Sequence, residues 1–315
     1  MKIGIIGTGR IARRFVPEAR KVEDIYIGSV YNPNRESAAK FAKEFKISHY
    51  TDKLEDLFQS VEAVYIASPH STHFEYAKES LERGKHVLCE KPFCFGKKQA
   101  EELYGIAKKN CVIIMEAIKT AYCPGFCALI EIAQSGIIGE IRDVEACFTR
   151  LTPKDTREFR DLHYGGSFTE FGSYVILPVL KLLGVNYQEV RFQSLYAENG
   201  IDEYTKAYFT YKKGMATVKT GLSVKSEGQL IVAGTKGYIL AESPWWLTKK
   251  FEVRYEEPGK RDVYTFPFEE QGLRYEIKAF RDCIKSDSYG VRGVSSQETI
   301  AMAEIMKDFL KKKFE

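Results

Sequence analysis

The first fifteen residues, MKIGIIGTGRIARRF, join an apolar run to a glycine-rich turn and then to a helical pattern. In the pattern Gly7-x-Gly9-x-x-Ala12, the first glycine permits a tight turn and the second lets backbone approach a pyrophosphate. Ala12 allows close packing of helix on strand, and the helix N-terminus offers free N–H groups to phosphates. A turn that merely needs flexible residues is the alternative, but the flanking strand and helix favour a dinucleotide site. The residues expected to hold it are Gly7, Thr8, Gly9, Arg10 and Ile11.

The composition is that of an ordinary globular protein. The 315 residues exceed a typical single core, and we expect two domains, residues 1–120 and 121–315. Basic and acidic residues number 47 and 43 and are interleaved, which does not favour a nucleic-acid partner. No apolar run reaches the roughly 18 residues of a membrane span. The seven cysteines are scattered, and we expect a cytoplasmic protein without disulfides or a metal site.

The two predicted domains differ in their pattern. Apolar runs at residues 3–6, 25–30, 63–67, 86–89 and 111–115 alternate with helical patterns, as in a parallel sheet covered on both faces. A helix starting at Pro124 and another at residues 167–183 follow. From 189 to 266, strands are separated by tight turns such as YKKGM, which predicts an antiparallel sheet. The fold class is α/β, a parallel dinucleotide-binding (Rossmann) sheet followed by an α+β domain on an open, mainly antiparallel sheet. A last helix with the capping box Ser295–Glu298 is expected to pack back on the first domain.

The end of the second strand bears on the choice of dinucleotide. NAD sites usually carry an acidic residue there for the ribose hydroxyls. The sequence SVYNPNRES, residues 29–37, instead has Asn32 and Pro33 at that point, and Arg35 follows. A guanidinium suits a 2′-phosphate, although Arg35 is equally compatible with a solvated position at the start of a helix. We expect NADP rather than NAD.

Six segments carry a resemblance to a known family. They are IASPHSTH (66–73), CEKPF (89–93), MEAIKTAYCP (115–124), SGIIGEI (135–141), GGSFTEFGSY (165–174) and VAGTKGYI (232–239). Together they resemble the glucose–fructose oxidoreductase and inositol dehydrogenase (Gfo/Idh/MocA) family, and most of all its dihydrodiol dehydrogenase branch. The resemblance implies NAD(P), a sugar-, cyclitol- or trans-dihydrodiol-like substrate, and a homodimer or tetramer formed through the outer sheet.

The same resemblance implies the site residues. Lys91 is the lysine of the EKP motif, and Tyr174 stands where many members have a catalytic histidine. Glu170 occupies a position that is usually Asp, and His70 one that is more often Asn. The further cofactor contacts expected are Asn32, Arg35, Ser68, Pro69, His73, Glu90 and Lys91. Substrate contacts are expected at Arg157, His163 and Glu170.

The chemistry of hydride transfer to a carbonyl explains why a site would contain both Lys91 and Tyr174. The alkoxide that forms needs a proton donor and a nearby positive charge. A tyrosine has an ordinary pKa of about 10, and a neighbouring ammonium lowers it. Lys91 could otherwise be a surface lysine and Tyr174 a core aromatic. We expect the two to act in one active site.

Two other functions are compatible with the same features. Some relatives resemble NAD-dependent glycosidases, which use the redox step internally. A non-catalytic dinucleotide-binding sensor is the second alternative, but a pure binder needs neither Lys91 nor Tyr174.

Overall fold

The structure, a computed structural model, describes residues 1–286 and 293–313 and divides into two compact units. Unit 1 comprises Met1–Tyr122 together with Glu270–Ala303, and unit 2 comprises Cys123–Glu269 together with Glu304–Glu315. The division expected from sequence, at residue 120, placed the rest of the chain in the second domain, with the last helix packing back on the first. In the structure Glu270–Ala303, which includes the start of that helix, groups with unit 1.

Unit 1 is built on a parallel sheet of six strands within the described residues, in the order β3-β2-β1-β4-β5-β6. Its strands are β1 Lys2–Ile6, β2 Tyr26–Tyr31, β3 His49–Thr51, β4 Ala63–Ile66, β5 His86–Glu90 and β6 Ile114–Ala117. Every residue of β4 and β6 is buried, which is why neither strand alternates between apolar and polar residues, and Glu116 is the one charged residue in them. β3 was not expected from the sequence.

Helices cover both units and follow the chain in this order. They are α1 Arg10–Ala19, α2 Arg35–Phe45, α3 Leu54–Ser60, α4 His73–Glu82, α5 Lys97–Lys109, α6 Pro124–Gln134, α7 Arg157–Arg160, α8 Ser167–Leu183, α9 Leu273–Ser286 and α10 Ser296–Lys313. The predicted bounds of α8 agree with the structure. At the start of α10, Ser295 N–H donates to the Glu298 carboxylate at 2.8 Å, which confirms half of the predicted capping box. The Glu298 N–H completes it by donating to Ser295 Oγ at 3.3 Å.

A buried carboxylate explains why α9 belongs to unit 1. Glu18 of α1 accepts the backbone N–H groups of Gln271 and Arg274, each at 3.1 Å, and the Arg274 guanidinium at 3.0 Å. Burial opposes the charge on Glu18, yet these bonds lower its pKa below the ordinary value. The carboxylate thus satisfies N–H groups at the start of α9 that a helix leaves without partners.

Unit 2 is built on an eight-stranded sheet within its described part, in the order β14-β13-β12-β11-β7-β10-β9-β8. Its strands are β7 Ile141–Thr149, β8 Glu189–Tyr196, β9 Asp202–Thr210, β10 Met215–Gly221, β11 Leu230–Gly234, β12 Gly237–Ala241, β13 Lys250–Tyr255 and β14 Arg261–Thr265. β7 and β10 pair in parallel and the other neighbours are antiparallel. The predicted fold class, a parallel Rossmann sheet and a mainly antiparallel second sheet, is confirmed.

The second sheet packs α8 on one face. Ala216, Val218 and Thr220 alternate along β10 with less buried residues and are nearly inaccessible. α8 lies against β7, β9 and β10. In the described residues, no helix combines the length and apolar character that a membrane span needs.

Candidate active site

The glycines that follow β1 differ in the space around them. A Cβ on Gly7, whose φ is +105°, would lie 2.6 Å from the Ala67 carbonyl oxygen, and this position therefore requires glycine. A Cβ on Gly9 would meet only that same oxygen, at 4.0 Å. Gly7 is therefore needed for the turn itself, whereas the exposed backbone of Gly9 borders open space that a ligand can occupy.

The start of α1 is suited to an anion. Its N-cap is Gly9, which has no side chain to satisfy the first N–H groups, and its first turn contains no acidic residue. Ala12 is fully buried, as close packing of helix on strand requires. Arg10 is exposed and Ile11 half-buried beside the same turn.

The end of β2 binds back to this glycine turn. The Asn32 side-chain amide donates to Thr8 Oγ1 at 2.8 Å, and its carbonyl oxygen accepts the Asn34 N–H at 2.8 Å. Asn34 in turn caps α2 by accepting the Ser37 N–H at 2.9 Å. The position of the usual ribose-binding acid thus holds an amide that orders the loop.

Arg35 has a partner that the sequence did not reveal. Its guanidinium lies 3.1 Å from Asp52 and 5.7 Å from the ring centroid of Tyr50, and the side chain is 64% exposed. Asp52 directly follows β3, and the short length of that strand hid it from periodicity arguments. The three residues HYT followed by Asp52, between two helical patterns, were the signal available in the sequence.

The loop after β4 is a compact turn. Thr72 Oγ1 lies 2.8 Å from Ser68 Oγ and 2.8 Å from the Pro69 carbonyl oxygen, and its hydroxyl can donate a hydrogen bond to either. Pro69 is exposed, whereas His73 is fully buried. The two ring nitrogens of His73 lie 2.8 Å from the Pro92 carbonyl and 3.1 Å from the Ser68 carbonyl. The His73 side chain therefore links the loop that follows β4 to the loop that follows β5.

Lys91 follows β5 directly, at the carboxyl edge of the parallel sheet, where such sheets bind ligands. Its side chain is half-buried and the peptide bond to Pro92 is cis. Glu90 before it is buried and accepts the Tyr65 hydroxyl. Tyr65 stacks on Phe15 of α1 with ring centroids 3.7 Å apart.

Three buried carboxyl groups lie in unit 1 near this edge. Burial raises the pKa of Glu90, although the Tyr65 hydroxyl and the Lys91 ammonium lower it. Burial and the charge of Glu90 raise the pKa of Glu276 well above its ordinary range. Burial also raises the pKa of Glu116, to about 7. Among the described residues, no group of three acidic, histidine or cysteine side chains has a metal-binding arrangement.

In unit 2, Tyr174 lies on α8 within an aromatic cluster. Its ring centroid is 5.1 Å from that of Phe148, which stacks on Trp246 at 3.8 Å and on Phe171 at 4.5 Å. Tyr174 and Trp246 are half-buried, and Phe148 is 8% exposed. Trp245 is fully buried and donates its Nε1–H to the Cys147 carbonyl at 2.8 Å, which is sheet packing.

The candidate substrate residues are partly brought together. Arg157 binds Glu170 at 3.0 Å, and Glu170 lies one helical turn before Tyr174 on α8. Glu170 thus places a carboxylate and a guanidinium beside each other on this part of unit 2. His163 is exposed, and its ring contacts Tyr164 at a centroid distance of 4.4 Å.

Two family models match the chain and together span most of it. Residues 1–118 match the oxidoreductase family with the NAD-binding Rossmann fold, and residues 126–240 match the GFO/IDH/MocA C-terminal domain. The chain belongs to the Gfo/Idh/MocA family. Members of this family are NAD(P)-binding oxidoreductases, and this protein is one of them.

Curated relatives of this Gfo/Idh/MocA protein extend over nearly its whole length. The scyllo-inositol 2-dehydrogenase (NADP(+)) IolU of Bacillus subtilis is 28% identical over 98% of this chain and 95% of its own. The trans-1,2-dihydrobenzene-1,2-diol dehydrogenase of Sus scrofa is 26% identical over the same shares of the two chains.

A solved structure supports the fold. KijD10, a 3-ketoreductase from Actinomadura kijaniata in complex with NADP and TDP-benzene, matches with a TM-score of 0.83 and 21% identity. The match covers 97% of this chain and 95% of that one. At this identity the likeness establishes the shared architecture.

Proposed function

We propose that this protein transfers a hydride between NADP and a hydroxyl- or carbonyl-bearing carbon of a cyclitol-, sugar- or trans-dihydrodiol-like substrate. The observation that carries the proposal is the contrast between Gly7, closed in by Ala67, and Gly9, which borders open space at the start of α1. The named activities of the relatives, on scyllo-inositol and on trans-dihydrobenzenediol, support this substrate class.

The residues after β1 and β2 fit a dinucleotide with a 2′-phosphate. The N–H groups at the start of α1 suit the pyrophosphate, and Gly9 lets it approach. Asn32 is neutral and does not repel a phosphate, and Arg35 is a bidentate donor within the same loop region. Asp52 competes for Arg35, and the NADP preference therefore depends on the phosphate displacing or sharing that ion pair.

We assign the proton chemistry to Tyr174 and Lys91. When bound, the nicotinamide supplies or accepts the hydride. In the reducing direction the Tyr174 hydroxyl gives its proton to the substrate oxygen, and the Lys91 ammonium provides the positive charge that favours the phenolate left behind. In the oxidising direction the tyrosine takes the proton back. Phe148 packs against the tyrosine ring and helps to fix its position for this transfer.

The pair Arg157–Glu170 suits a substrate with several hydroxyl groups. The guanidinium supplies only donors and the carboxylate only acceptors, and neighbouring hydroxyls can use both. Because Glu170 balances the charge of Arg157, this arrangement favours a neutral polyol or diol over a strongly anionic substrate.

Assembly and location complete the proposal. The face of the second sheet opposite α8 exposes Tyr208 and Met215, 38% and 63% accessible, and we propose that a second copy of the chain covers it. Sedimentation velocity measures the resulting dimer or tetramer.

All seven cysteines of the sequence lie in the described residues as free thiols, which suits a reducing cytoplasm.

A cofactor-reduction screen tests this function. Scyllo-inositol, myo-inositol, simple aldoses and trans-cyclohexane-1,2-diol are offered with NAD⁺ and NADP⁺ in parallel, and absorbance at the reduced nicotinamide band is followed. We expect turnover of at least one cyclitol or diol with NADP⁺. Release of a leaving group from a glycoside without net cofactor reduction would instead support a glycosidase, and cofactor binding without any turnover would support a sensor.

A further inference from the structure

The turn that carries Lys91 is held by buried polar side chains from two other elements. We call residues 90–93, from Glu90 to Phe93, the Lys91 turn. The Pro92 carbonyl lies 2.8 Å from Nδ1 of His73, on α4. The Phe93 N–H donates to Oε1 of Glu116, on β6, at 3.2 Å. These two groups are the carbonyl and the N–H of a single peptide unit, Pro92–Phe93, which lies just after Lys91 and is thus fixed from outside the turn.

His73 connects this turn to a second loop. Its other nitrogen, Nε2, lies 3.1 Å from the Ser68 carbonyl, and the ring is fully buried. A carbonyl only accepts hydrogen bonds, so the neutral ring can donate to one of the two carbonyls and the imidazolium to both. The ring of His70 lies 5.6 Å away, edge to face, and closes this side. A carbonyl removed from water needs a hydrogen-bond donor, and the His73 ring is placed to supply one to each loop.

Glu116 is placed by the sheet itself. It stands beside Cys89 in the register of β6 with β5, and its side chain is 2% exposed. One carboxyl oxygen accepts the Phe93 N–H, and the other is buried, where Thr299 stabilises the charge of the carboxylate by hydrogen bonding. Burying a carboxyl group lowers the stability of the folded state unless the group is hydrogen-bonded. Here one such hydrogen bond is made to the Lys91 turn.

We propose that His73 and Glu116 are positioning residues that fix the Lys91 turn and so aim the Lys91 ammonium. The proposal rests on the catalytic role assigned to Lys91 above. A lysine side chain is long and loses much rotamer entropy when ordered, and a fixed backbone start point reduces what must be ordered during reaction. Neither His73 nor Glu116 needs to touch substrate for this.

Paired variants separate the hydrogen bond from mere volume. An asparagine amide nitrogen occupies about the place of a histidine Nδ1 and a glutamine nitrogen that of Nε2. His73→Asn therefore keeps the donor to Pro92, whereas His73→Gln keeps the one to Ser68. Glu116→Gln keeps an acceptor for Phe93, and Glu116→Leu removes it. Ser80→Ala is the matched control, because it removes a buried hydrogen bond within α4 that does not reach the turn.

Two readouts do not require turnover. Amide hydrogen exchange reports the Phe93 N–H, and acylation followed by mass spectrometry reports the accessibility of the Lys91 amine. In the wild type, Phe93 should exchange about tenfold or more slowly than a surface-loop amide, since its partner is buried. Glu116→Leu and His73→Gln should speed this exchange and change Lys91 acylation about tenfold. Glu116→Gln, His73→Asn and Ser80→Ala should match the wild type.

Activity supplies the third readout, with the substrate identified by the screen. Glu116→Leu and His73→Gln should lower kcat about 10–100-fold, the scale of a misplaced catalytic group. The Kd of Glu116→Leu for NADP⁺ should stay within about twofold, and in both variants the primary deuterium isotope effect on kcat should rise as hydride transfer becomes limiting.

The outcomes distinguish this inference from the function on which it rests. An unprotected Phe93 amide in the wild type overturns the inference even if no variant folds. Wild-type acylation and kcat in folded Glu116→Leu and His73→Gln overturn it as well. If Lys91→Met keeps full activity, the proposed function of Lys91 is wrong, while exchange and acylation still decide whether His73 and Glu116 hold the turn.

Discussion

The carboxylate of Asp202 accepts the backbone N–H of Phe168 at 2.8 Å, and so caps a helix to which it does not belong. Asp202 is the first residue of β9, and Phe168 lies in the first turn of α8, the helix that carries Tyr174. The same oxygen accepts the hydroxyls of Ser167 and Thr205, at 2.8 and 3.0 Å. A Cβ on Gly166 would overlap the carboxylate, and glycine is therefore required at the helix N-cap.

Removal of this cap should destabilise unit 2. Asp202→Ala leaves a buried N–H and two hydroxyls without their acceptor, and we expect the free energy of unfolding to fall by about 3 kcal/mol. Asp202→Asn should cost less because one oxygen remains. Urea denaturation measures both, with the exposed Asp155→Ala as the control. A loss in Asp202→Ala no larger than in the control would contradict the capping role.

The Asp202 cap also illustrates what the sequence could and could not predict. Continuous apolar runs gave the parallel strands, and helical spacing gave the bounds of α8, because both signals are local. Asp202 and Phe168 are 34 positions apart, and Glu18 and Arg274 are 256 apart. No periodicity connects such residues, since their pairing depends on how the finished elements pack.

The same distinction holds for the candidate site. The motifs predicted Lys91 and Tyr174 as site residues, but they did not indicate Asp52 or Glu116, which the structure places beside Arg35 and the Lys91 turn. Asp52 follows a strand of only three residues, too short to show alternation. Glu116 lies inside an apolar run, where a single acidic residue in a sequence does not disclose the N–H that it binds.

Gly9→Val should weaken cofactor binding without unfolding the protein. The space beside Gly9 is open in the described structure, so a side chain fits there and occupies the path of the pyrophosphate. We expect the Kd for NADP⁺ to rise about tenfold or more, because the phosphates lose contact with the start of α1. Isothermal calorimetry measures this. Gly105→Val, at an exposed position of α5 with equally open surroundings, is the control. Equal affinity in both folded variants would refute the phosphate-binding role of the turn.

Arg35 and Asp52 should move the cofactor preference in opposite directions. Arg35→Ala removes the guanidinium proposed for the 2′-phosphate and should weaken NADP⁺ about tenfold while changing NAD⁺ little. Asp52→Asn frees Arg35 from its ion pair and removes a negative charge, and should tighten NADP⁺. Fluorescence titration with NADPH and NADH measures the ratio of the two dissociation constants in each variant. Parallel losses for NADP⁺ and NAD⁺, or a wild type that prefers NAD⁺, would sink the assignment.

Tyr174→Phe should abolish most turnover and leave binding intact. The substitution keeps the ring that packs on Phe148 and removes only the hydroxyl. We expect kcat to fall by about 10²–10⁴, the usual contribution of general acid–base catalysis. Lys91→Met should cause a similar loss, and the double variant little more, because both residues serve one proton transfer. Tyr208→Phe, on the exposed sheet face, is the control. Wild-type kcat in Tyr174→Phe, measured where chemistry limits the rate, would remove this tyrosine from the mechanism.

Glu116 should make the protein less stable as the pH rises from about 4.5 to about 7. Burial and the charge of Glu90 raise its pKa to about 7 in the folded state, against the opposing effects of Thr299, the Phe93 N–H and the Lys91 ammonium. In the unfolded chain the carboxyl group ionises near its ordinary value of 4.5. Between these values the unfolded chain has lost a proton that the folded state retains. The stabilisation is therefore complete below pH 4.5 and is lost as the pH rises to about 7.

Glu116→Gln measures this contribution, because glutamine has nearly the same shape and cannot ionise. Between pH 4.5 and pH 8, the free energy of unfolding of the wild type should fall by about 3 kcal/mol relative to that of Glu116→Gln. Urea denaturation across that range, with Glu62→Gln at an exposed position as the control, gives the two profiles. The other buried acids, Glu90 and Glu276, are present in both proteins. Their contributions cancel in the difference between the two unfolding free energies unless the substitution changes their pKa values. Parallel profiles for Glu116→Gln and the wild type would mean that Glu116 does not titrate in this range in the folded protein.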